Sequence, residues 1–295
     1  MALIGDLRDL LDRHAPREGP PLPGVVLLRA DGPTEPVSAL SDPVFVIVAS
    51  GRKRTILADR VFEYGAGQYL VVSVELPVTA HVIEASRDEP YLVFAMCLQP
   101  EAIATLLLET ADSRRLPREV PGLAVSEATD DLLDPVVRLL RLLDRPADLP
   151  VLAPAAEREI LWRLVTGEQG AMIRQIGLAD SRLSQVARSI RWIREHYADL
   201  FRIEDAARVA GMSVTSFHRH FRAVTTMSPL QFQKQVRLQQ ARTRLIANPH
   251  DVAAVGHDVG YDSPSQFSRE YRRMFGVPPG RDAVRLQAVA AGPIV

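Results

Sequence analysis

Two stretches of the chain set short polar and cationic side chains at matched positions. The first runs from Ser213 to Pro229 and carries Thr215, Ser216, His218, Arg219 and Arg222. The second runs from Ser263 to Pro279 and carries Ser265, Gln266, Ser268, Arg269 and Arg272. An arginine fork can grip guanine, glutamine can grip adenine, and serine or threonine adapts to either. Cations among them suit phosphates. This is the chemistry of non-covalent contact with a nucleic acid.

The elements that must position these groups repeat with them. Aligning Phe217 with Phe267 puts Arg219 on Arg269, Phe221 on Tyr271, Arg222 on Arg272 and Pro229 on Pro279. Upstream, "IEDAARVAG" faces "VAAVGHDVG", so Gly211 meets Gly260 after one residue of slack. Each copy reads as a short helix, a turn with glycine, a serine N-cap (Ser213 or Ser263) and a second helix, the pattern of a helix-turn-helix. The aromatic pairs four residues apart share a face and bury, which leaves the polar groups outward. Between the copies, 229–248 has no internal Gly or Pro and reads as a helical rod, with apolar contacts from Phe232, Val236, Leu238 and Leu245. A rod of this kind would hold two reading helices apart on one face of a duplex. Arg219 and Arg269 are expected to touch bases or phosphates, against pairing with Glu204 or Glu270. Lys234, Arg237, Arg242 and Arg244 on the rod are expected to be solvated or phosphate-facing.

The charge distribution agrees. The 295 residues have a net charge of −1, but from Leu183 onward there are 16 Lys and Arg against 9 Asp and Glu. That leaves 19 against 27 in residues 1–182. A basic half beside an acidic half points to a polyanionic partner for the former. No apolar run is long enough to span a membrane, and the amphipathic N-terminus lacks the pattern of a signal peptide. One cysteine, Cys97, excludes an internal disulfide and a CxxC metal site. A cytoplasmic protein is expected.

The first half changes period along its length. From about 21 to 98, short segments rich in Val, Ile, Leu and aromatics alternate with turn formers, which predicts a β-sandwich or small barrel. Helical spacing follows over 100–111, 130–146 and 154–167. Residues 171–184 read as a connection.

The C-terminal hundred residues resemble the AraC/XylS family of bacterial transcription regulators. "IEDAARVAGMSVTSFHRHFRAVTTMSPLQFQKQVRLQQARTRL" and "VGYDSPSQFSREYRRMFGVPPGRDAVR" carry the likeness, the second most specifically. Residues 51–86, "GRKRTILADRVFEYGAGQYLVVSVELPVTAHVIEAS", resemble the cupin-like arm of one AraC subgroup. The resemblance implies an α+β chain with two domains. Residues 1–182 would form a cupin-like barrel with flanking helices, for effector sensing or dimerisation. Residues 183–295 would form an all-α DNA-binding domain, with helix-turn-helix motifs at about 203–224 and 252–275. The expected partners are promoter or operator duplex DNA, a small organic effector, a second copy and, for an activator, RNA polymerase.

The departures from the family pattern are Gly256, where alanine is usual, and Thr226-Met227, where glycine is common. Gly256 predicts a frayed helix, and the pair of departures predicts unequal reading heads. Thr215, Ser216, His218, Arg219, Arg222, Ser263, Ser265, Gln266, Ser268, Arg269 and Arg272 are the expected DNA contacts. Tyr64, Tyr69, Val71, His81 and Phe94 are the expected lining of an effector pocket, against a packed barrel that serves only as a dimer scaffold. His81 is the one histidine of the β-rich half, so a metal site of enzymatic cupin type is not expected, nor is any cofactor. The rival is a cupin-type small-molecule enzyme with a helical appendage. Cys97 is expected as a buried small hydrophobe, against an electrophile-sensing thiol. The "GRKR" at 51–54 is expected as an exposed basic hairpin tip.

Overall fold

The structure, a computed structural model, describes residues 2–15, 22–110, 117, 119–247 and 251–290. They fall into two compact units. The first is Met1–Ala187 with Arg219–Thr226, and the second is Arg188–His218 with Met227–Val295.

The first unit opens with α1 (Ala2–His14). Eight strands follow: β1 (Val25–Ala30), β2 (Val37–Ser41), β3 (Val44–Ser50), β4 (Arg52–Leu57), β5 (Arg60–Gly65), β6 (Gln68–Val72), β7 (Leu76–Glu84) and β8 (Tyr91–Cys97). Then come α2 (Pro100–Thr110), β9 (Leu123–Glu127), α3 (Asp130–Arg141), α4 (Leu149–Thr166) and α5 (Gly170–Gly177). The strands make two antiparallel sheets, one of order β1-β8-β3-β6-β9 and one of order β2-β7-β4-β5. The fold is thus mixed α+β, with a sandwich of cupin-like type. The seven apolar segments of the sequence fall on strands. β2 and β9 escaped because "VSALS" and "LAVSE" lack a run of large apolar residues. Residues 170–177 form a helix where a connection was expected. Its buried Gln175 bonds Pro117 O at 2.9 Å and accepts from Leu183 N at 3.3 Å, so a polar residue serves a buried face.

The remaining helices are α6 (Arg182–Glu195), α7 (Ile203–Ala210), α8 (Val214–Thr225), α9 (Pro229–Ala247), α10 (Val252–Asp258), α11 (Pro264–Phe275) and α12 (Pro279–Ala290). The glycine that ends α7, Gly211, adopts φ +67°, the left-handed cap expected of it. α9 has 19 residues, about 28 Å of helix. Leu238, Ala241 and Leu245 of α9 pack with Val255, Val259, Tyr261, Phe267, Tyr271 and Ala283 into one core.

The two departures from the repeat have separate physical outcomes. α10 is formed, capped by Asp251 accepting from Ala254 N. A Cβ on Gly256 would lie 2.9 Å from the Phe267 ring, so glycine lets the second recognition helix approach closely. The expected fraying is corrected by that packing. Thr226, by contrast, takes φ +63° where its repeat counterpart Gly276 takes +78°. For a β-branched residue that region costs about 1–2 kcal/mol, and the Thr226 hydroxyl is buried without a hydrogen bond. Thr226→Gly is therefore expected to raise stability by about 1 kcal/mol, or roughly 2–4 °C in calorimetry. A lower midpoint would show that the threonine side chain holds the bend by packing.

Candidate nucleic-acid interface and the sheet interior

Both helix-turn-helix copies are built as the repeat requires. Phe217, Phe221, Phe267 and Tyr271 are all fully buried. Ser213 Oγ accepts from Ser216 N, and Ser263 Oγ accepts from Gln266 N, each at 3.3 Å. The caps fix where each recognition helix starts, and the buried aromatics fix which face turns outward. Thr215, His218, Arg219 and Arg222 are exposed on α8, with Ser216 half-buried. Ser265, Arg269 and Arg272 are exposed on α11, with Ser263, Gln266 and Ser268 half-buried.

The outward groups differ in how free they are. Arg219, in the part of α8 that belongs to the first unit, lies 3.6 Å from Glu119, with both side chains half exposed or more. Such a pair is weak in water. Gln266 turns its amide onto Glu270 at 3.2 Å. On α11, Arg269, Arg272 and Arg273 have no acidic partner among the described residues. With Ser268, Gly276 and Pro278 they line a shallow cleft of about 580 Å³. The sequence reading missed Arg273. Its first-repeat counterpart is Ala223, so the repeat alignment gave no signal, although its place four residues after Arg269 puts both on one ridge.

The cations of α9 are engaged within the fold, which corrects the expectation for Arg237 and Arg242, while Arg244 stays exposed as expected. Lys234 Nζ bonds Glu270 Oε1 at 3.1 Å. Arg237 donates its hydrogen bonds to main-chain carbonyls, of Tyr197, Ala198, Asp199 and Gly260, and lies over the Tyr261 ring. Arg242 Nε bonds Asp282 Oδ2 at 2.9 Å, and Arg244 meets Asp258 and the Tyr197 hydroxyl. Glu270 also accepts from the Tyr261 hydroxyl at 2.9 Å. Burial raises the Glu270 pKa, but its bonds from Lys234, Gln266 and Tyr261 outweigh this and hold it below the ordinary glutamate value. Three donors thus engage Glu270, and Arg269 is not among them.

The five residues proposed for an effector pocket do not converge. Tyr64 stands directly across from Lys53, while His81 pairs with the next residue, Arg54, so the two point to opposite faces of the four-stranded sheet. Tyr69, Val71 and Phe94 share a face of the other sheet with Phe45 and Ile47, and Tyr69 and Phe94 pack on the Phe45 ring. Tyr91, three residues before Phe94 on β8, faces the other way and feels the charge of Tyr64. Between the sheets lies a different set. The Tyr64 hydroxyl is 3.0 Å from Thr55 Oγ1, and burial pushes its pKa up to about 12, against that bond. The Tyr91 hydroxyl is buried without a hydrogen bond among the described residues, and burial, then Tyr64, raises its pKa well above the usual value. Lys53 has no acidic partner among the described residues, and burial lowers its pKa.

The "GRKR" segment is thus a strand whose outer cations are paired, Arg52 with Glu84 and Arg54 with Glu63, and not an exposed tip. Cys97 is exposed, because it ends β8 where the strand leaves the core. Among the described residues no cluster of three or more His, Cys, Asp or Glu could hold a metal ion. Nor is any described helix long and apolar enough to cross a membrane.

Residues 21–172 match the family of the AraC-type transcriptional regulator N-terminus, and residues 206–283 match a helix-turn-helix domain. The chain belongs to the AraC-type transcriptional regulators. That family is one of regulators and not of enzymes. Among similar curated proteins is the HTH-type transcriptional activator RhaS of Salmonella agona (strain SL483). It is 30% identical over 179 residues, which cover 57% of this chain and 63% of RhaS. RhaS of Salmonella schwarzengrund (strain CVM19633) is 28% identical over 178 residues, with the same coverage. The match thus spans about 63% of the length of these curated relatives. Wild-type ToxT of Vibrio cholerae strain SCE256, solved with an unsaturated fatty acid bound, superposes with a TM-score of 0.54 at 9% identity. The match covers 91% of this chain and 97% of that one. At that identity the likeness is one of fold.

The division between spent and free cations makes a direct forecast. Asp282 is fully buried, and its partners are Arg242 and the Tyr271 hydroxyl. Arg242→Ala strands that carboxylate and is expected to cost about 3–5 kcal/mol. Arg272→Ala is expected to change stability by no more than about 0.5 kcal/mol. Urea titration of both variants decides this, and equal losses would contradict the division.

Proposed function

We propose that the chain is a sequence-specific duplex-DNA-binding regulator of transcription, with α8 and α11 as its two reading helices. The observation that carries this is the set of guanidiniums on α11, Arg269, Arg272 and Arg273, that have no acidic partner among the described residues, while Lys234 and Arg242 of α9 are paired. Thr215, Ser216, His218, Arg219 and Arg222 form the first reading face. Ser263, Ser265, Gln266 and Ser268 join the arginines in the second. Binding is predicted to be electrostatic in affinity and side-chain-specific in sequence. The RhaS relatives are named activators, which favours activation and contact with RNA polymerase.

The test is fluorescence anisotropy of the full chain against duplex DNA upstream of its own coding sequence, with a shuffled control, across salt concentrations. Affinity is expected to fall steeply with salt. Arg269→Ala, Arg272→Ala and Arg273→Ala are each expected to lower the log–log salt slope by about 0.9 if the arginine meets one phosphate. A base-reading arginine will also relax sequence preference. Absence of binding at low salt ends the proposal.

The first unit, in this reading, takes a small organic acid between its sheets. Lys53 would meet the carboxylate, and the Tyr91 hydroxyl would donate to it, which satisfies two groups that otherwise lack partners. ToxT structures with an unsaturated fatty acid and with a substituted butenoic acid make acids a reasonable first class. A panel of aliphatic and aromatic monocarboxylates is expected to include one that raises the melting temperature of the wild type but not of Lys53→Met. If none does, the unit is a scaffold for a second copy, and sedimentation would then find a dimer.

A further inference from the structure

α9 reads as a spacer, yet at its middle the lead-in to the first helix-turn-helix meets the turn of the second. Arg237 sits there, and four N–H···O bonds leave its guanidinium. Nε donates to Tyr197 O at 2.6 Å and Nη1 to Gly260 O at 2.7 Å. Nη2 donates to Ala198 O at 3.2 Å and to Asp199 O at 2.9 Å. Gln233, one turn earlier, adds bonds from Nε2 to Tyr197 O at 2.9 Å and Asp199 O at 3.1 Å. Residues 197–199 lead into the first motif. Gly260 lies in the turn of the second, at φ +88°.

The two backbones are as close as they can come. A Cβ on Gly260 would stand 2.3 Å from Ala198 O and 2.8 Å from Arg237 Cζ. No side chain can separate the lead-in of one motif from the turn of the other. The donors all end on carbonyls, so the clasp fixes backbone against backbone, with no acidic side chain to absorb a shift. A flat guanidinium with donors on three nitrogens can bridge two turns in fixed directions. A lysine, with one nitrogen, cannot.

We propose that Arg237 is the positioning residue that sets the two recognition helices against each other, and so selects the separation of DNA half-sites the protein accepts. This rests on the DNA-binding reading. One added base pair turns the second half-site by roughly 34° about the duplex axis and moves it about 3.4 Å along it. A clasped pair of motifs cannot follow that change, whereas an unclasped pair linked through α9 and its flanking turns can. Arg237 touches no DNA in this account, so its loss changes the spacing rule and leaves the reading of each half-site alone.

The experiment is in-vitro selection from a random duplex library with the full chain, wild type and Arg237→Lys. Titration follows on the selected duplex, on versions with one or two base pairs inserted or deleted between its boxes, and on a single-box duplex. The wild type is expected to select two boxes at one separation and to lose roughly tenfold in affinity on a one-pair insertion, about 1.4 kcal/mol. Arg237→Lys is expected to select the same boxes at scattered separations, to lose about twofold or less on insertion, and to bind the single box as the wild type does. An unchanged insertion penalty in Arg237→Lys overturns the proposal alone. So does scattered spacing in the wild type. A wild type that enriches nothing overturns the DNA-binding reading and this proposal with it. If Arg237→Lys unfolds, Arg237→Gln, whose shorter amide cannot reach both turns, decides by the same insertion penalty.

Discussion

A buried carboxylate needs a cation, and in the second unit that demand sorts the positive charge. Asp282 takes Arg242, and Glu270 takes Lys234 together with a tyrosine hydroxyl and an amide. A buried charge without its partner is costly enough that these pairings are not optional. Once they are made, Arg244 is the exposed cation of the rod, and it is paired with Asp258. On α11, Arg269, Arg272 and Arg273 stay outward with no acidic partner among the described residues. The interface is therefore defined as much by the acids that consume neighbouring cations as by the arginines left over.

The same logic runs through the backbone. The repeats resemble each other in sequence but close differently. Gly276 ends one recognition helix in the left-handed region at no steric cost, and Thr226 ends the other there with strain. Gly256 and Gly260 each admit a neighbour that a Cβ would exclude, an aromatic ring in one case and a carbonyl in the other. The two motifs are thus a repeat by descent of pattern, with separate packing solutions.

The first unit poses the opposite problem. Among the described residues, its sheets leave the buried Tyr91 hydroxyl without a hydrogen bond and the half-buried Lys53 without an acid. Protein interiors rarely leave a buried hydroxyl unmet, because it has lost its water. The polar set is small, and it sits where the strands of two sheets face each other.

The sequence by itself determined the repeat, its caps, its buried aromatic pairs and the family. Those signals are local: serine before a helix, glycine after one, aromatics four residues apart. It also located seven of the nine strands, since short apolar runs between turn formers need no partner to be recognised. It did not decide which face of a strand looks inward. Strands buried on both faces read as continuous apolar runs, so Tyr64, Tyr69, His81 and Phe94 looked equivalent until cross-strand register put them on different faces. It also could not assign the cations of α9. An arginine on a helix has the same local signature whether it meets phosphate, a carboxylate or a carbonyl. Arg237 and Tyr197 are 40 residues apart in the chain, and only the folded path of the backbone brings them together.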